Sequence, residues 1–367
     1  RTGSITPDAE NTGEVSQWFA DNDLNLRLAQ VILPNGEFAL GTRTDPRSLW
    51  RPLLRWGNDD TLGKFFGFGP GNSNLFLVSS VRAQAPRLLS IDATTGAATA
   101  LAQDVRFDVS AALFHPRSNA LEAVQFNRAR AQWQLANTNL LPDFEVLRRH
   151  RNADIDILSR DLADRTWTVS FTSADAPIQF ALYDRSRRAV TPLFAERSEL
   201  PSSGLGSTRS VSFSARDGLS IEGYLTLPPG IEPRRLPAVV LVHAGPWSRV
   251  VWSFDPEVHW LANRGYAVLQ VNFRGSEGYG KDHRQAGNQE WGGKILLDLL
   301  DARKWTGDQG FIDPKRTAIM GTGFGGYAAL AVLARHPDEF AVGIAIKGHA
   351  GIGSGAENFL AEGLHVK

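Results

Sequence analysis

Residues Ile319-Met320-Gly321-Thr322-Gly323-Phe324-Gly325-Gly326-Tyr327 decide how the rest of this sequence is read. An apolar, strand-like run from Arg316 to Met320 leads in, and a helix-like run from Tyr327 to Arg335 leads out. Strand, glycine-rich turn and helix, in that order, form the setting in which a Gly-x-Ser-x-Gly elbow presents a nucleophilic serine. The spacing is kept at Gly321, Gly323 and Gly325, but the central residue is glycine. Glycine has no oxygen with which to attack a carbonyl. It also takes positive φ without steric penalty, where a residue with a side chain would be strained by about 1–3 kcal/mol. The exchange therefore relaxes the turn and removes the nucleophile.

Upstream of this stretch, the apolar runs Ala238 to His243 and Tyr266 to Asn272 alternate with helical segments, and Ala341 to Ile346 follows it. Near-continuous apolar strands separated by helices predict a parallel sheet covered on both faces. A β-pair, Val211 to Ala215 and Ile221 to Leu227 around Asp217-Gly218, precedes them. A Pro/Ser/Gly linker near Glu199 to Gly206 divides this half from one of different grammar. Before the linker, short alternating runs broken by turn residues predict an almost entirely β region. Leu75, Leu121 and Trp167 head similar runs 46 residues apart, and Asp92 and Asp184 echo each other at 92 residues. A period in the forties with several strands per unit is that of a β-propeller blade, and about four fit here. A β-sandwich with accidental spacing is the alternative.

Composition narrows the function. The 367 residues carry 39 basic and 39 acidic side chains, so no polyanion-binding surface is expected and nucleic acid is excluded as a partner. No apolar run approaches the roughly 20 residues that cross a bilayer. There is no cysteine, hence no disulfide, thiolate metal site or cysteine nucleophile. The N-terminus, Arg1 to Pro7, shows neither an initiator Met nor a signal-peptide core, and a cytoplasmic location is expected. Both ends read as interior sequence. A sheet ending at Ala341–Ile346 would expose an edge through which copies could self-associate.

Three segments follow successive strands of the second half: His243-Ala244-Gly245-Pro246-Trp247, then Asn272-Phe273-Arg274-Gly275-Ser276-Glu277-Gly278-Tyr279-Gly280, then the glycine elbow with Gly326-Tyr327-Ala328-Ala329-Leu330. In this order, below a propeller, they resemble the prolyl oligopeptidase family of serine peptidases, especially its acylaminoacyl-peptidase-like branch, over residues 20 to 350. The resemblance implies a partial β-propeller over residues 1–205 and the first half of an α/β-hydrolase domain over 206–367. It also implies acyl transfer from short peptides to serine and then to water, with no cofactor and no metal. Gly323 stands at the nucleophile position. The backbone N–H groups of Phe324 and Gly245 stand where the family's oxyanion donors are. In α/β-hydrolases the orienting Asp and the His base follow the nucleophile, and 44 residues follow Gly323 here. The chain as written is expected to be inactive.

No other residue substitutes for the serine. Ser276 and Ser354 each have glycine neighbours but not one residue away on both sides. Asp338 and Glu339 read as loop or helix-end residues, and His336 as a cation favourable at a helix C-terminus. His349 and His365 lie in a glycine-rich tail, and His243 ends a buried strand. Gly321-x-Gly323-x-x-Gly326 also satisfies a dinucleotide fingerprint, whose acidic partner should close the next strand. Glu339 precedes that strand instead. Two rival functions follow: a non-catalytic peptide-binding scaffold, and a nucleotide-binding α/β protein.

Overall fold

A computed structural model describes residues 13–44, 48–200 and 204–348. The described residues of the N-terminal half form four antiparallel sheets, the blades of a propeller. The first contains β1 (Val15–Ala20), β2 (Leu26–Ile32), β3 (Phe38–Thr42) and β4 (Arg51–Trp56). The second contains β5 (Leu62–Phe68), β6 (Asn74–Ser79), β7 (Arg87–Asp92) and β8 (Ala98–Ala102). The third has three strands, β9 (Val109–Phe114), β10 (Leu121–Asn127) and β11 (Ala131–Leu135). The fourth contains β12 (Asp154–Arg160), β13 (Thr166–Ser173), β14 (Ala176–Asp184) and β15 (Ala189–Ala195).

The 46-residue period has a structural meaning. Leu75, Leu121 and Trp167 all lie in the second strand of their blades, and stepping back once more reaches Ala29 in β2. The two aspartates close third strands. Asp92 accepts the N–H groups of Thr94 (2.9 Å) and Thr95 (2.6 Å), and Asp184 accepts that of Arg187 (3.0 Å). Each carboxylate thereby sets the turn into the fourth strand, the Asx role that recruits aspartate to such positions.

The third blade departs from the almost entirely β expectation. Where a fourth strand would follow, the chain forms α1 (Leu141–His150). Pro142 lies in its first turn, Asp143 complements the N-terminal end of the dipole, and Arg148, Arg149 and His150 complement the C-terminal end. Phe144 and Leu147 bury against Trp167, Val169 and Phe171 of the next blade. Asp143 accepts the Tyr183 hydroxyl (2.8 Å) and Arg185 Nε (2.8 Å). Arg185 also bonds Asp164, which in turn holds Arg160, and Arg160 reaches Glu122 of β10. This buried network fastens the third blade to the fourth. The Tyr183 phenol, desolvated and bonded to a carboxylate, is held well above its ordinary pKa.

Among the described residues, the second half is a six-stranded sheet in the order β16-β17-β19-β18-β20-β21. Its strands are β16 (Ser207–Ser214), β17 (Ser220–Leu227), β18 (Leu236–Val242), β19 (Ala267–Asn272), β20 (Ile312–Thr322) and β21 (Val342–Ile346). The β16–β17 and β17–β19 pairs are antiparallel, and β19, β18, β20 and β21 run parallel. Four helices intervene: α2 (Pro256–Ala262), α3 (Gly280–Gln285), α4 (Lys294–Asp308) and α5 (Phe324–Arg335). The period-two pleat of β18 divides its apolar residues. Ala238, Val240 and Val242 pack with Ile295 and Leu299 of α4 and Ala328 and Val332 of α5, while Val239 and Leu241 pack with Val258 and Leu261 of α2. On the outer strand β21, Val342 and Ile344 are 52% and 43% exposed. Among the described residues no helix is long and apolar enough to cross a membrane.

The segment Phe273–Gly280 is fixed from two sides. On the sheet side, Arg274 is buried between two carboxylates. Its Nε and Nη2 donate to Asp298 of α4 (2.9 and 2.7 Å), and Nη1 and Nη2 to Asp217 of the β16–β17 turn (2.8 and 3.0 Å). The guanidinium holds the Asp217 carboxyl well below the usual carboxylate range. On the propeller side, Gly280 N–H donates to Asp108 (2.9 Å), Lys281 N–H to the Gln84 carbonyl (2.7 Å), and Lys281 Nζ pairs with Asp60 (2.7 Å). Between them lies an interdomain cavity of about 360 Å³, bordered by Lys64, Asp108, Glu277 and Arg284. Burial raises the Asp108 pKa to about 6.

Removing one partner of a buried ion pair leaves the other charge uncompensated, at about 3–5 kcal/mol. Asp298→Ala leaves Arg274 with Asp217 as its one carboxylate, so unfolding stability in urea should fall toward the lower end of that range. The paired change Asp298→Leu with Arg274→Met should lose clearly less, because the one carboxylate then parted from Arg274, Asp217, is partly exposed and keeps Lys294 Nζ at 3.5 Å.

Candidate active site

The glycine turn joins β20 to α5 with the elbow geometry intact. Gly323 has φ 59° and ψ −117°, and its carbonyl accepts the first helical bond, from Tyr327 N–H at 3.0 Å. Its own N–H donates to the Ile346 carbonyl of β21 (2.9 Å). The three spaced glycines are present for different reasons. A Cβ on Gly321 would collide with the backbone of Gly325, and one on Gly325 would collide with the carbonyl of Val242. One on Gly326 would lie 2.9 Å from Cα of Gly348. A Cβ on Gly323 would meet no atom within 4 Å. The neighbouring glycines are demanded by close backbone packing, whereas the central position has room for a side chain and opposes one only through its positive φ.

The His243–Trp247 turn leaves the sheet beside this elbow, because Val242 of β18 and Gly321 of β20 are partners in the parallel ladder. Gly245 has φ 69°, and a Cβ there would meet no atom within 4 Å, so the position favours glycine through its backbone conformation and not through close packing. Phe324 begins α5, where the first N–H groups of a helix have no intrahelical acceptor. The two backbone groups singled out from the sequence thus lie on loops issuing from adjacent strand ends. That is the edge at which open α/β sheets bind ligands.

Side chains from all three motifs surround the elbow. Phe324 packs on Phe273 (ring centroids 5.8 Å apart), Tyr327 (5.8 Å) and Trp291 (6.2 Å), and Trp291 meets Trp247 edge-on at 5.5 Å. His243 stacks on Phe273 at 4.2 Å with an interplanar angle of 10°. Its Nδ1 faces the Ala244 carbonyl (3.3 Å), which places the proton there and leaves Nε2 to accept the hydroxyl of Ser276 at 3.0 Å. Ser276 is fully buried, so its oxygen is occupied in pinning His243 and is not offered to a substrate. Burial pushes the His243 pKa down to about 4, and the imidazole stays neutral near pH 7.

The remaining sequence candidates are dispersed. His336 caps the far end of α5 through its N–H to Val332 O (2.7 Å). Glu339 accepts Arg303 of α4 at 2.6 Å, in the segment before β21. His349, Ser354 and His365 lie outside the described residues. Sequence reasoning missed the aromatic group formed by Trp247, Phe273, Trp291 and Phe324. The available signal was at least one aromatic in each strand-end motif, plus Trp291 ahead of α4.

Comparison with known proteins agrees with this architecture. The profile described as the prolyl oligopeptidase family matches residues 252–352. Dipeptidyl aminopeptidase BIII of Pseudoxanthomonas mexicana is 35% identical over 355 residues, covering 95% of this chain and 51% of that protein. The acylamino-acid-releasing enzyme of Arabidopsis thaliana is 33% identical over 104 residues, 28% of this chain and 14% of that protein. Among solved structures, a puromycin-hydrolyzing peptidase of Mycobacterium tuberculosis superposes with a TM-score of 0.76 at 20% identity, over 97% of this chain and 56% of that one. That last likeness concerns the fold. Over residues 252–352 the chain matches the prolyl oligopeptidase family, and it spans about half the length of the relatives it matches along most of its own length.

Two measurements test the site geometry. In urea unfolding, Gly321→Ala and Gly325→Ala should each cost about 3 kcal/mol or more from backbone overpacking. Gly323→Ala should cost only the conformational strain, about 1–3 kcal/mol. The second concerns acid. His243 and His283 both titrate near 4 in the folded chain because burial penalises their charged forms. An unfolded chain takes up these protons near pH 6.5. Their contribution is therefore complete above that pH and is lost as the pH falls toward 4. The melting temperature should drop across this window, and His243→Gln should make the drop shallower.

Proposed function

We propose that this chain is a peptide-binding member of a serine peptidase family that does not itself cut peptides. Residues 1–205 act as the propeller unit and 206–367 as the α/β unit. In the family's chemistry a serine oxygen attacks the peptide carbonyl and the acyl group passes to water, while backbone N–H groups stabilise the oxyanion. Gly245 and Phe324 supply the backbone donors in this reading, and Gly323 supplies nothing to attack with. The observation that carries the proposal is the elbow itself: its geometry and close glycine packing persist while the central residue lacks an oxygen. Ser276 is committed to His243, and His336 is about 20 Å away along α5 by helix rise. Neither replaces a nucleophile–base pair. The aromatic group around Phe324 offers apolar surface to a short peptide, which makes Trp247 and Trp291 natural reporters of binding.

Serine-directed phosphonates should leave the chain unlabelled by intact-mass spectrometry, and apolar or N-acylated short peptides should remain uncleaved above background. The same peptides should shift the tryptophan emission, and Trp247→Phe should remove most of the shift. Gly323→Ser alone should restore no turnover, since a serine without a positioned base is a poor nucleophile. Gly323→Ser in a chimera carrying the C-terminal hydrolase segment of the Pseudoxanthomonas relative should hydrolyse peptides. Phosphonate labelling of the unaltered chain, lost on Ser276→Ala, would instead place the chemistry at the buried serine.

A further inference from the structure

We infer that Arg249 ties the His243–Trp247 turn to the propeller, so that Gly245 is held in place only while the two domains are docked. Arg249 lies four residues after Gly245, in the loop between β18 and α2. Its Nη1 donates to the carbonyl of Asn127 (3.0 Å), its Nη2 faces the carbonyl of Arg128 (3.4 Å), and both carbonyls belong to the third blade. Nη2 also donates to the Tyr279 hydroxyl (3.0 Å), and the guanidinium carbon sits 4.3 Å above the Tyr279 ring. Gly278 has φ 89°, which favours glycine, and a Cβ there would also displace this guanidinium.

The next residue is anchored differently. Val250 N–H donates to Asn272 Oδ1 (2.7 Å), and Asn272 Nδ2 donates both to Val250 O (2.9 Å) and to the Tyr279 hydroxyl (2.8 Å). Asn272 is fully buried at the end of β19. Adjacent residues of one loop therefore hold the propeller and the sheet, with Tyr279 common to both anchors. If the third blade withdraws, Arg249 loses two carbonyl acceptors for a cation whose Nε is buried without a partner. The guanidinium then turns toward water and Tyr279 loses its clamp, which releases the Val250–Asn272 bonds. Lys281 and Asp60 bridge the same interface but act on the neighbouring loop. Arg249 is accordingly a positioning residue for the Gly245 turn. The importance of that turn for peptides rests on the function proposed above, whereas the mechanical coupling does not.

Hydrogen–deuterium exchange of the full chain without peptide tests the coupling. Arg249→Met keeps the aliphatic stem and removes the donors. It should speed exchange in the segment 244–252 by about tenfold, the scale of one lost charge-assisted hydrogen bond. Lys281→Met, at the same interface, should leave that segment unchanged. Tyr279→Phe should give a smaller rise in the same segment and provides the reading if Arg249→Met does not fold. Unchanged exchange at 244–252 in the folded Arg249 and Tyr279 variants, or an equal rise in Lys281→Met, overturns the coupling. Peptide titration is read separately. A mobilised turn with lower peptide affinity supports both ideas, and a mobilised turn with unchanged affinity keeps the coupling and rejects Gly245 as part of the peptide site.

Discussion

The backbone of the elbow helix rests directly on the ends of neighbouring strands, and the α/β half is organised by that contact. Gly325 lies against the carbonyl of Val242, Gly321 lies against Gly325, and Gly326 lies against Gly348. Three segments can approach so closely only where no side chain intervenes. The contact brings the turn after β18, the turn after β20 and the end of β21 to one point, with Gly323 N–H bonded to Ile346 as the final tie. Aromatic residues then close around the point because each emerging loop carries one. The elbow shape is thus a property of the packing beneath it, and it persists with glycine in the centre.

Buried charge is used in both halves to fix loops rather than to react. In the propeller, Arg160 and Arg185 share Asp164 and reach Glu122 and Asp143, so that α1 and two blades meet on one network. In the α/β half, Arg274 serves Asp298 and Asp217, joining the β19 loop to α4 and to the β16–β17 turn. Groups desolvated to this degree are costly unless every donor finds an acceptor. A network of this kind therefore favours one loop arrangement over its near competitors.

The interface between the halves depends on the glycines of one short segment. Gly275, Gly278 and Gly280 all have positive φ, and each faces a different neighbour: the Pro246 carbonyl, the Arg249 guanidinium, and the Gln84 and Arg106 carbonyls. The segment that Arg274 fixes from the sheet side thus lies flat against the propeller on the other.

Much of this was legible in the residues alone. The 46-residue spacing marked equivalent second strands because each blade repeats one strand-and-turn pattern. Asp92 and Asp184 announced their turns because aspartate sets such turns locally. The apolar runs of β18, β19 and β20 declared a parallel sheet because strands buried on both faces need no alternation. The absence of a nucleophile at Gly323 was likewise a property of one residue. The helix α1 was not legible: its ten residues have a first-turn proline and dipole signals, but its burial depends on Trp167 and Tyr183 of the following blade. The pairing of His243 with Ser276 joins residues 33 apart, and that of Arg249 with Asn127 joins residues 122 apart. Only the folded chain decides such contacts, because side-chain chemistry specifies what a group requires, and tertiary packing determines which distant group supplies it.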